Sequence, residues 1–271
     1  MNTQTRFNSP DIYSILSQTQ RLRVSDGEIK PVLDGCENSS QTLVLIWLQL
    51  GDFDNLEYAW WLQREKEKIE ARGITIRAVG IGNRNSGVKF CEYTGFPQEW
   101  LFVDTIAEIH ALLGLSRGLS IQFPILSTSQ KARLNLMLMC AGIGSPGTVK
   151  EVFRGYKGDK KAPQLIADEE VVRGTPLPPM KGSFFQAAGG KGFQRPFELA
   201  TLRLRNMTEV LSNWNTYVPD SSYLTQRGGT FLFDSQGKLI YEHCVGVARR
   251  RHRNILGFAE NMSNPLDFLY K

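Results

Sequence analysis

The sequence predicts an α/β fold whose central sheet contains parallel strands. Residues 42–50 (TLVLIWLQL) form a continuous apolar run rich in strand-forming residues, which is typical of a strand buried on both faces. A segment with apolar residues at helical spacing follows as far as Gly73, and residues 74–82 (ITIRAVGIG) form a second apolar run. This order predicts a βαβ unit, because parallel neighbours need a crossover connection.

The later segments continue the alternation of helices and strands. In chain order they predict a helix at 85–95 that ends at Gly95, a strand at 100–104, a helix at 105–115, a hairpin at 228–243 and a helix or turn-rich segment from 255 onward. Asp104 or Thr105 is expected to cap the helix at 105–115, since both side chains accept from free backbone N–H groups. The hairpin turns at residues 234–237 (DSQG), a typical turn sequence.

Residues 116–227 form a long insertion before the hairpin. Two helices are predicted in it, at 129–141 and at 195–214, with Pro196 in the first turn of the second. The stretch between them is rich in glycine and proline and is expected to be loop. We expect residues 1–40 to be an N-terminal extension and residues 41–271 to be one domain that the insertion interrupts.

The composition is that of a globular protein, which excludes collagen-like, coiled-coil and wholly disordered chains. Four cysteines in 271 residues are too few for a disulfide scaffold. The first 30 residues lack an apolar signal segment, and the longest apolar run is far shorter than the ~20 residues that a membrane span needs. These features predict a soluble, cytoplasmic protein whose cysteines are reduced.

The excess of 32 Lys and Arg over 27 Asp and Glu is concentrated in two segments. One is the run Arg249, Arg250, Arg251, His252 and Arg253, and the other is 157–161 (KGDKK). A solvated loop is the simplest interpretation of the arginine run, and binding to an anionic membrane or to nucleic acid is the alternative. A nucleic-acid partner is not favoured, because no zinc-finger spacing or RNA-binding aromatic motif is present.

Four segments, VLIWLQLGDFDNLEYAWWLQ, ITIRAVGIGN, WLFVDTIAEIHALLGL and GGTFLFDSQGKLIYEH, resemble the peroxiredoxin-like 2 group of the AhpC/TSA family. The resemblance covers most of residues 40–271, and GGKGFQRPFELATLRLRNM in the insertion is similar to a cyanobacterial and plastid branch. The resemblance implies a thioredoxin-like fold in three layers, with a central mixed sheet and a long helical insertion. By analogy it also implies a place at the thylakoid membrane.

Redox-active members of the family carry one or two cysteines where the first strand meets the next helix. The helix N-terminus stabilises a thiolate there. In this chain residues 51–57 read GDFDNLE, so Asp52 and Asn55 stand where the two cysteines would be. We expect Asp54 and Glu57 to form a capping box and Asp52 to favour the positive helix end. The alternative is that Asp52 mimics a charged or oxidised cysteine.

The remaining cysteines allow an oxidoreductase with a relocated thiol. Cys244 is the first candidate, because His243 and the arginine run would favour a thiolate, and Cys91 is the second. Cys140 is expected to be buried, and Cys36 lies between acidic residues that would raise its pKa. Arg227 lies near the position of the arginine that polarises peroxide in peroxiredoxins, but no cysteine is expected to face it.

Two further residues are candidates for an anion or partner contact. Lys191 and Arg195 flank the glycine-rich segment 189–192 before a predicted helix, where free N–H groups bind anions. A structured loop is the simpler interpretation. The three histidines are scattered and no Cys-x-x-Cys pair exists, so no metal site and no cofactor are expected.

These observations predict a non-catalytic peroxiredoxin-like protein that acts as an interaction, assembly or regulatory module for a protein partner. The candidate surfaces are the insertion and its aromatic residues Phe184, Phe185, Phe193 and Phe197. A thiol-dependent oxidoreductase that uses Cys244 or Cys91 is the alternative. A membrane or nucleic-acid binder that uses residues 249–253 is the weaker alternative.

Overall fold

The computed structural model describes residues 12–115, 148–174 and 177–244, together with Arg117, Ser127 and Gln130. The strands are β1 (Gln20–Arg23), β2 (Ile29–Pro31), β3 (Gln41–Gln49), β4 (Ile74–Ile81), β5 (Leu101–Asp104), β6 (Val171–Gly174), β7 (Leu177–Lys181), β8 (Gly229–Asp234) and β9 (Leu239–Cys244). The helices are α1 (Ile12–Gln18), α2 (Phe53–Arg64), α3 (Lys66–Glu70), α4 (Arg84–Thr94), α5 (Glu108–Leu112), α6 (Thr148–Lys157), α7 (Gln186–Gly189), α8 (Glu198–Ser212) and α9 (Trp214–Tyr217). The arginine run at 249–253, the helix predicted from 255 and nearly all of the helix predicted at 129–141 lie outside the described residues.

Seven strands form one mixed sheet in the order β2-β1-β5-β4-β3-β8-β9. The pairs β3–β4 and β4–β5 are parallel, which confirms the predicted βαβ unit. The pairs β1–β2, β1–β5, β3–β8 and β8–β9 are antiparallel. The predicted hairpin at the end of the chain is β8–β9, and it extends the sheet from β3.

Both faces of the sheet are covered by helices. Leu43 and Leu45 of β3 point to an apolar cluster that includes residues of α2 and α4. Val44 and Ile46 point to a second cluster with residues of α1 and α5. Since alternate side chains of a strand face opposite sides, the continuous apolar run of β3 is explained by burial on both. The three-layer α/β arrangement expected from the sequence is confirmed.

The N-terminal segment corrects the expected boundary at residue 41. Strands β1 and β2 belong to the central sheet, and Leu22 of β1 pairs with Val103 of β5. Arg21 also forms an ion pair with Asp104 at 3.2 Å. The strand was missed because β1 is four residues long with the sequence QRLR, so it has no hydrophobic periodicity to detect.

The insertion packs against the sheet domain through α2. Trp61 of α2 shares an apolar cluster with Leu199 and Leu202 of α8. The segment expected to be loop contains the β6–β7 hairpin and the short helix α7. Pro196 is not in the first helical turn as predicted, because α8 begins only at Glu198. The carboxylate of Glu198 is held by Arg195, which keeps the preceding residues outside the helix.

No helix in the described part of the chain is both long enough and apolar enough to cross a bilayer.

Candidate functional site

The junction between β3 and α2 is the position at which the fold exposes a helix N-terminus at the edge of the sheet. Strand β3 ends at Gln49, and α2 begins at Phe53. Asp52 lies between them with extended backbone angles (φ −74°, ψ 131°), and its Oδ1 accepts a hydrogen bond from the Asp54 N–H at 2.9 Å. Asp52 is therefore the N-cap of α2, as its position before the free N–H groups of the helix favours.

The predicted capping box of Asp54 and Glu57 is wrong. Asp54 already lies in the first turn of α2 and is exposed. Glu57 is buried and forms an ion pair with Arg203 of α8 at 3.4 Å. Because α2 begins at Phe53, Glu57 lies beyond the first turn, where its side chain faces the insertion instead of the free N–H groups.

Asn55 closes the same turn from inside the protein. Its side chain is only 3% exposed, and its amide donates to the carbonyl oxygen of Gln49 at 3.0 Å. The amide of Gln49 in turn donates to the Asp220 carbonyl oxygen at 2.6 Å. Asn55 therefore holds the turn in place, and the residue that presents a chemical group at the helix start is Asp52.

The surroundings of Asp52 favour its neutral form. Burial of the carboxyl group, with a smaller contribution from the charge of Asp54, raises the pKa of Asp52 to about 7. Backbone N–H groups and the positive charge of Arg227 act in the opposite direction. The structure thus places Asp52 within electrostatic range of Arg227, two residues 175 positions apart in the sequence that the resemblance had assigned to one site.

Two glycines allow other chain segments to lie close to β3 and to the Asp52 turn that follows it. A Cβ atom on Gly228 would lie 2.3 Å from the carbonyl oxygen of Ile46, so only glycine fits where the chain enters β8. A Cβ atom on Gly51 would lie 3.0 Å from side-chain atoms of Tyr217 and Val218. The insertion therefore lies directly against the turn that carries Asp52.

The raised pKa of Asp52 predicts a change of stability with pH. Between its ordinary pKa of 3.8 and the folded value of about 7, the folded state holds a proton that the unfolded state releases. The free energy of unfolding should therefore fall as the pH rises through this window. Asp52→Asn keeps an N-cap acceptor but cannot ionise, so it should gain stability relative to the wild type towards neutral pH. Urea unfolding of both proteins at about pH 5 and about pH 8 measures the difference, and equal differences at both pH values would contradict the assignment.

Two of the described cysteines, Cys36 and Cys91, lie within the apolar clusters on the two faces of the sheet. Burial raises the pKa of Cys91 to about 12 and also raises the pKa of Cys36. Both side chains are buried, which opposes thiolate formation. Cys140 lies outside the described residues.

Cys244 has different surroundings from those expected. It is partly buried at the end of β9, and its Sγ lies 3.5 Å from Oε1 of Glu242. Burial lowers the pKa of His243, so its surroundings favour the neutral imidazole. The Glu242 carboxylate beside Cys244 opposes a thiolate, and the arginine run that was expected to favour one lies outside the described residues.

Arg195 is not the surface contact that the sequence predicted. Its side chain is fully buried and forms ion pairs with Glu198 at 2.6 Å and Asp168 at 2.7 Å. It also donates to the Ile166 carbonyl oxygen at 2.7 Å. Lys191 is exposed and lies 3.6 Å from Asp168. The guanidinium of Arg195 is committed to internal partners, so it cannot receive an external anion.

The structure contains a small cavity that the sequence did not predict. One of its lining residues, Gln226, directly precedes Arg227. The cavity has a volume of about 150 Å³ and is lined by Ile106, Ala107, Ala111, Leu115, Arg117, Tyr223 and Gln226. Sequence patterns give no signal for it, because its lining comes from the segment around α5 and from the end of the insertion. Among the residues that the structure covers, no cluster of three His, Cys, Asp or Glu side chains is arranged to hold a metal ion.

Comparison with known proteins places the chain in a family. The model of the AhpC/TSA antioxidant enzyme family matches residues 61–245. The match begins within α2, so it does not include Asp52 or Asn55. No curated protein and no solved structure matches the chain. Because the family model covers more than half of the chain, and the mixed sheet between helices agrees with it, the protein belongs to the AhpC/TSA family and has a thioredoxin-like fold.

Proposed function

We propose that this member of the AhpC/TSA family acts as a non-catalytic interaction or regulatory module and not as a thiol peroxidase. The observation that carries the proposal is the Asp52 carboxyl group, which occupies the N-cap of α2 where the family chemistry would require a thiol. Residues 50–57 contain no cysteine. In this interpretation, both cysteines of the family site have been replaced, by Asp52 and Asn55.

The chemistry of the junction supports binding and not peroxide reduction. Peroxide reduction requires a thiolate that attacks an oxygen of the O–O bond and is itself oxidised. A carboxylate cannot take this role, because it has no sulfur lone pair to be oxidised to sulfenic acid. Asp52 and Arg227 can hold a proton, a hydrogen bond or a charged group of a partner. A protein partner is the simplest user of such a site.

The proposed cellular location rests on the resemblance alone. The similarity of the insertion to a cyanobacterial and plastid branch supports a protein that works in the cytoplasm or at the surface of the thylakoid membrane. The partner is expected to be a protein. Capture of the tagged full-length chain from its source cell, compared with Asp52→Lys, tests whether a partner recognises the Asp52 turn.

The proposal is tested by an activity measurement on the full-length reduced protein. Hydrogen peroxide and an alkyl hydroperoxide are offered with thioredoxin, thioredoxin reductase and NADPH, and NADPH oxidation is followed. We expect the rate without the chain and the rate with it to be equal. A rate that requires the chain and increases in proportion to its concentration would overturn the proposal.

A second candidate function is a thiol oxidoreductase that uses Cys244. It is favoured by one observation, the partial exposure of Cys244, compared with the buried Cys36 and Cys91. In such an enzyme Cys244→Ser would abolish turnover, while Cys91→Ser would leave it unchanged.

The burial of Cys91 and Cys36 predicts the order of thiol labelling. At about pH 8, DTNB or iodoacetamide should modify Cys244 at least about tenfold faster than Cys91 and Cys36, because both buried thiols have raised pKa values. Mass spectrometry of quenched samples assigns the labelled positions. Cys244→Ser serves as the matched control and should leave the labelling of Cys91 and Cys36 unchanged. Labelling of Cys91 at the same rate as Cys244 would contradict the burial of the Cys91 side chain.

A further inference from the structure

Three aromatic side chains of the insertion are exposed on one surface. Phe153 and Tyr156 of α6 are 56% and 52% exposed, and Phe197, directly before α8, is 52% exposed. The rings of Tyr156 and Phe197 contact each other edge to face, with centroids 5.9 Å apart. We call these three residues the aromatic face. They point away from the fold, because α6 packs on α8 through its other side, where Gly155 approaches Leu199 and Ala200.

The backbone of Phe197 is strained. It has a φ of 65°, in the left-handed region that favours glycine. Since about half of its side chain is exposed, core packing does not explain why a large aromatic residue occupies this position. The strain therefore points to a role for the exposed ring itself.

The segment that carries the aromatic face, and the loop that follows it, are rich in lysine. The Nζ of Lys157 lies 5.7 Å from the centroid of the Phe153 ring. The loop that follows α6 lies against the residues just before Phe197, since Asp159 pairs with Gln194. Lys160 and Lys161, the next two residues of this loop, are both exposed. The acidic residue of this loop, Asp159, forms an ion pair with Arg154 at 3.9 Å, and with Lys157, Lys160 and Lys161 the segment 154–161 carries a net positive charge.

We propose that the aromatic face binds peripherally to an anionic lipid surface. Phenylalanine and tyrosine rings insert at the level of the headgroups, while the lysines contact the anionic phosphates. Charge complementarity favours this occupant over an uncharged apolar surface. The inference goes beyond the proposed function, which concerns a protein partner at the Asp52 turn. It rests on that function only in treating the protein as a binding module, and it does not involve Asp52.

The proposal is tested by co-sedimentation of the full-length protein with vesicles. One set contains phosphatidylglycerol and phosphatidylcholine in equal parts, and the other contains phosphatidylcholine alone. We expect binding to the anionic vesicles to be at least about tenfold tighter and to weaken with added salt. Phe153→Ser combined with Tyr156→Ser should reduce binding about tenfold, and so should Lys157→Glu combined with Lys160→Glu. Ile240→Ser is the matched control, since Ile240 is 46% exposed on β9, and it should bind as the wild type does.

Phe197→Gly separates lipid binding from folding. Glycine relieves the backbone strain at this position, so the thermal midpoint should be maintained or raised while binding to anionic vesicles weakens. Binding of the Phe197→Gly variant at the wild-type level would count against the proposal.

Several results would overturn the proposal. They are equal binding to both vesicle types, no binding to either, or wild-type binding by the Phe153→Ser/Tyr156→Ser variant. A large loss of thermal stability in that variant would show that another part of the chain covers the face, and a change in its sedimentation coefficient would show that a second copy does. Loss of binding only when Arg249, Arg250 and Arg251 are neutralised would assign the contact to the arginine run instead. None of these results depends on peroxidase activity, so failure here is distinguishable from failure of the proposed function.

Discussion

Replacement of Arg195 by methionine should lower the free energy of unfolding by about 3–5 kcal/mol. The variant leaves the Glu198 carboxylate fully buried without its cation, and Glu198 already accepts backbone hydrogen bonds from Leu165 and Ile166. A buried charge that has lost its partner pays the cost of desolvation without compensation. Urea unfolding followed by circular dichroism measures the loss.

The matched control for this prediction is Lys191→Met. It removes the same charge near the same Asp168, but Lys191 is exposed and its ion pair spans 3.6 Å, so it should cost less than about 1 kcal/mol. A second variant, Arg195→Met with Glu198→Leu, removes both charges and should recover a large part of the lost stability. If Arg195→Met and Lys191→Met lower the free energy of unfolding by the same amount, the buried ion pairs of Arg195 do not stabilise the insertion more than the exposed ion pair of Lys191 does.

Replacement of Gly228 by alanine is expected to have the second large effect, about 3 kcal/mol of lost stability. The added methyl group would lie 2.3 Å from the carbonyl oxygen of Ile46, and a backbone atom of a central strand cannot move aside as a flexible side chain does. The pairing of Ile46 with Gly229 would therefore be displaced. Because Arg227 directly precedes this glycine, its position relative to Asp52 should change as well.

Gly155→Ala controls for the general effect of replacing glycine. Gly155 lies within the helix α6. A Cβ atom there would lie 3.7 Å from its nearest neighbour, the Ala200 nitrogen of α8, which is an ordinary van der Waals contact. Alanine should therefore be neutral or stabilising by up to about 1 kcal/mol. Native-state hydrogen exchange at the β3–β8 pairs gives a second measurement for Gly228→Ala. Unchanged protection there, together with unchanged stability, would contradict the close approach.

The elements of the sheet domain were predictable because their signals are local. The apolar runs of β3 and β4 and the stop residue of α4, Gly95, lie within single segments, and the structure confirms them. Prediction failed where a signal was short or ambiguous. The sequence QRLR of β1 has no period, and the residues 52–57 contain several acidic side chains that could cap a helix. Only the register of α2 decided that Asp52 is the cap.

The candidate site was predictable in its position and not in its contacts. The resemblance aligned Asp52 and Asn55 with the family's cysteines and Arg227 with its arginine, and the structure brings Asp52 and Arg227 into electrostatic range. The resemblance did not separate the roles of Asp52 and Asn55. The structural role of Asn55 follows from its hydrogen bond to the Gln49 carbonyl oxygen, which only the folded chain shows. The aromatic face is likewise formed by the packing of α6 on α8.

The sequence by itself determined the βαβ unit, the β8–β9 hairpin and the absence of a cysteine from residues 50–57. These properties follow from periodicity and turn chemistry, which act over a few neighbouring residues. Only the tertiary structure decided that Arg195 is internal, that Glu57 pairs with Arg203 and that Arg227 approaches Asp52. The charge of such a side chain is readable from the sequence. Whether it faces water or a buried partner depends on how separate segments pack, because packing sets the balance between desolvation and pairing.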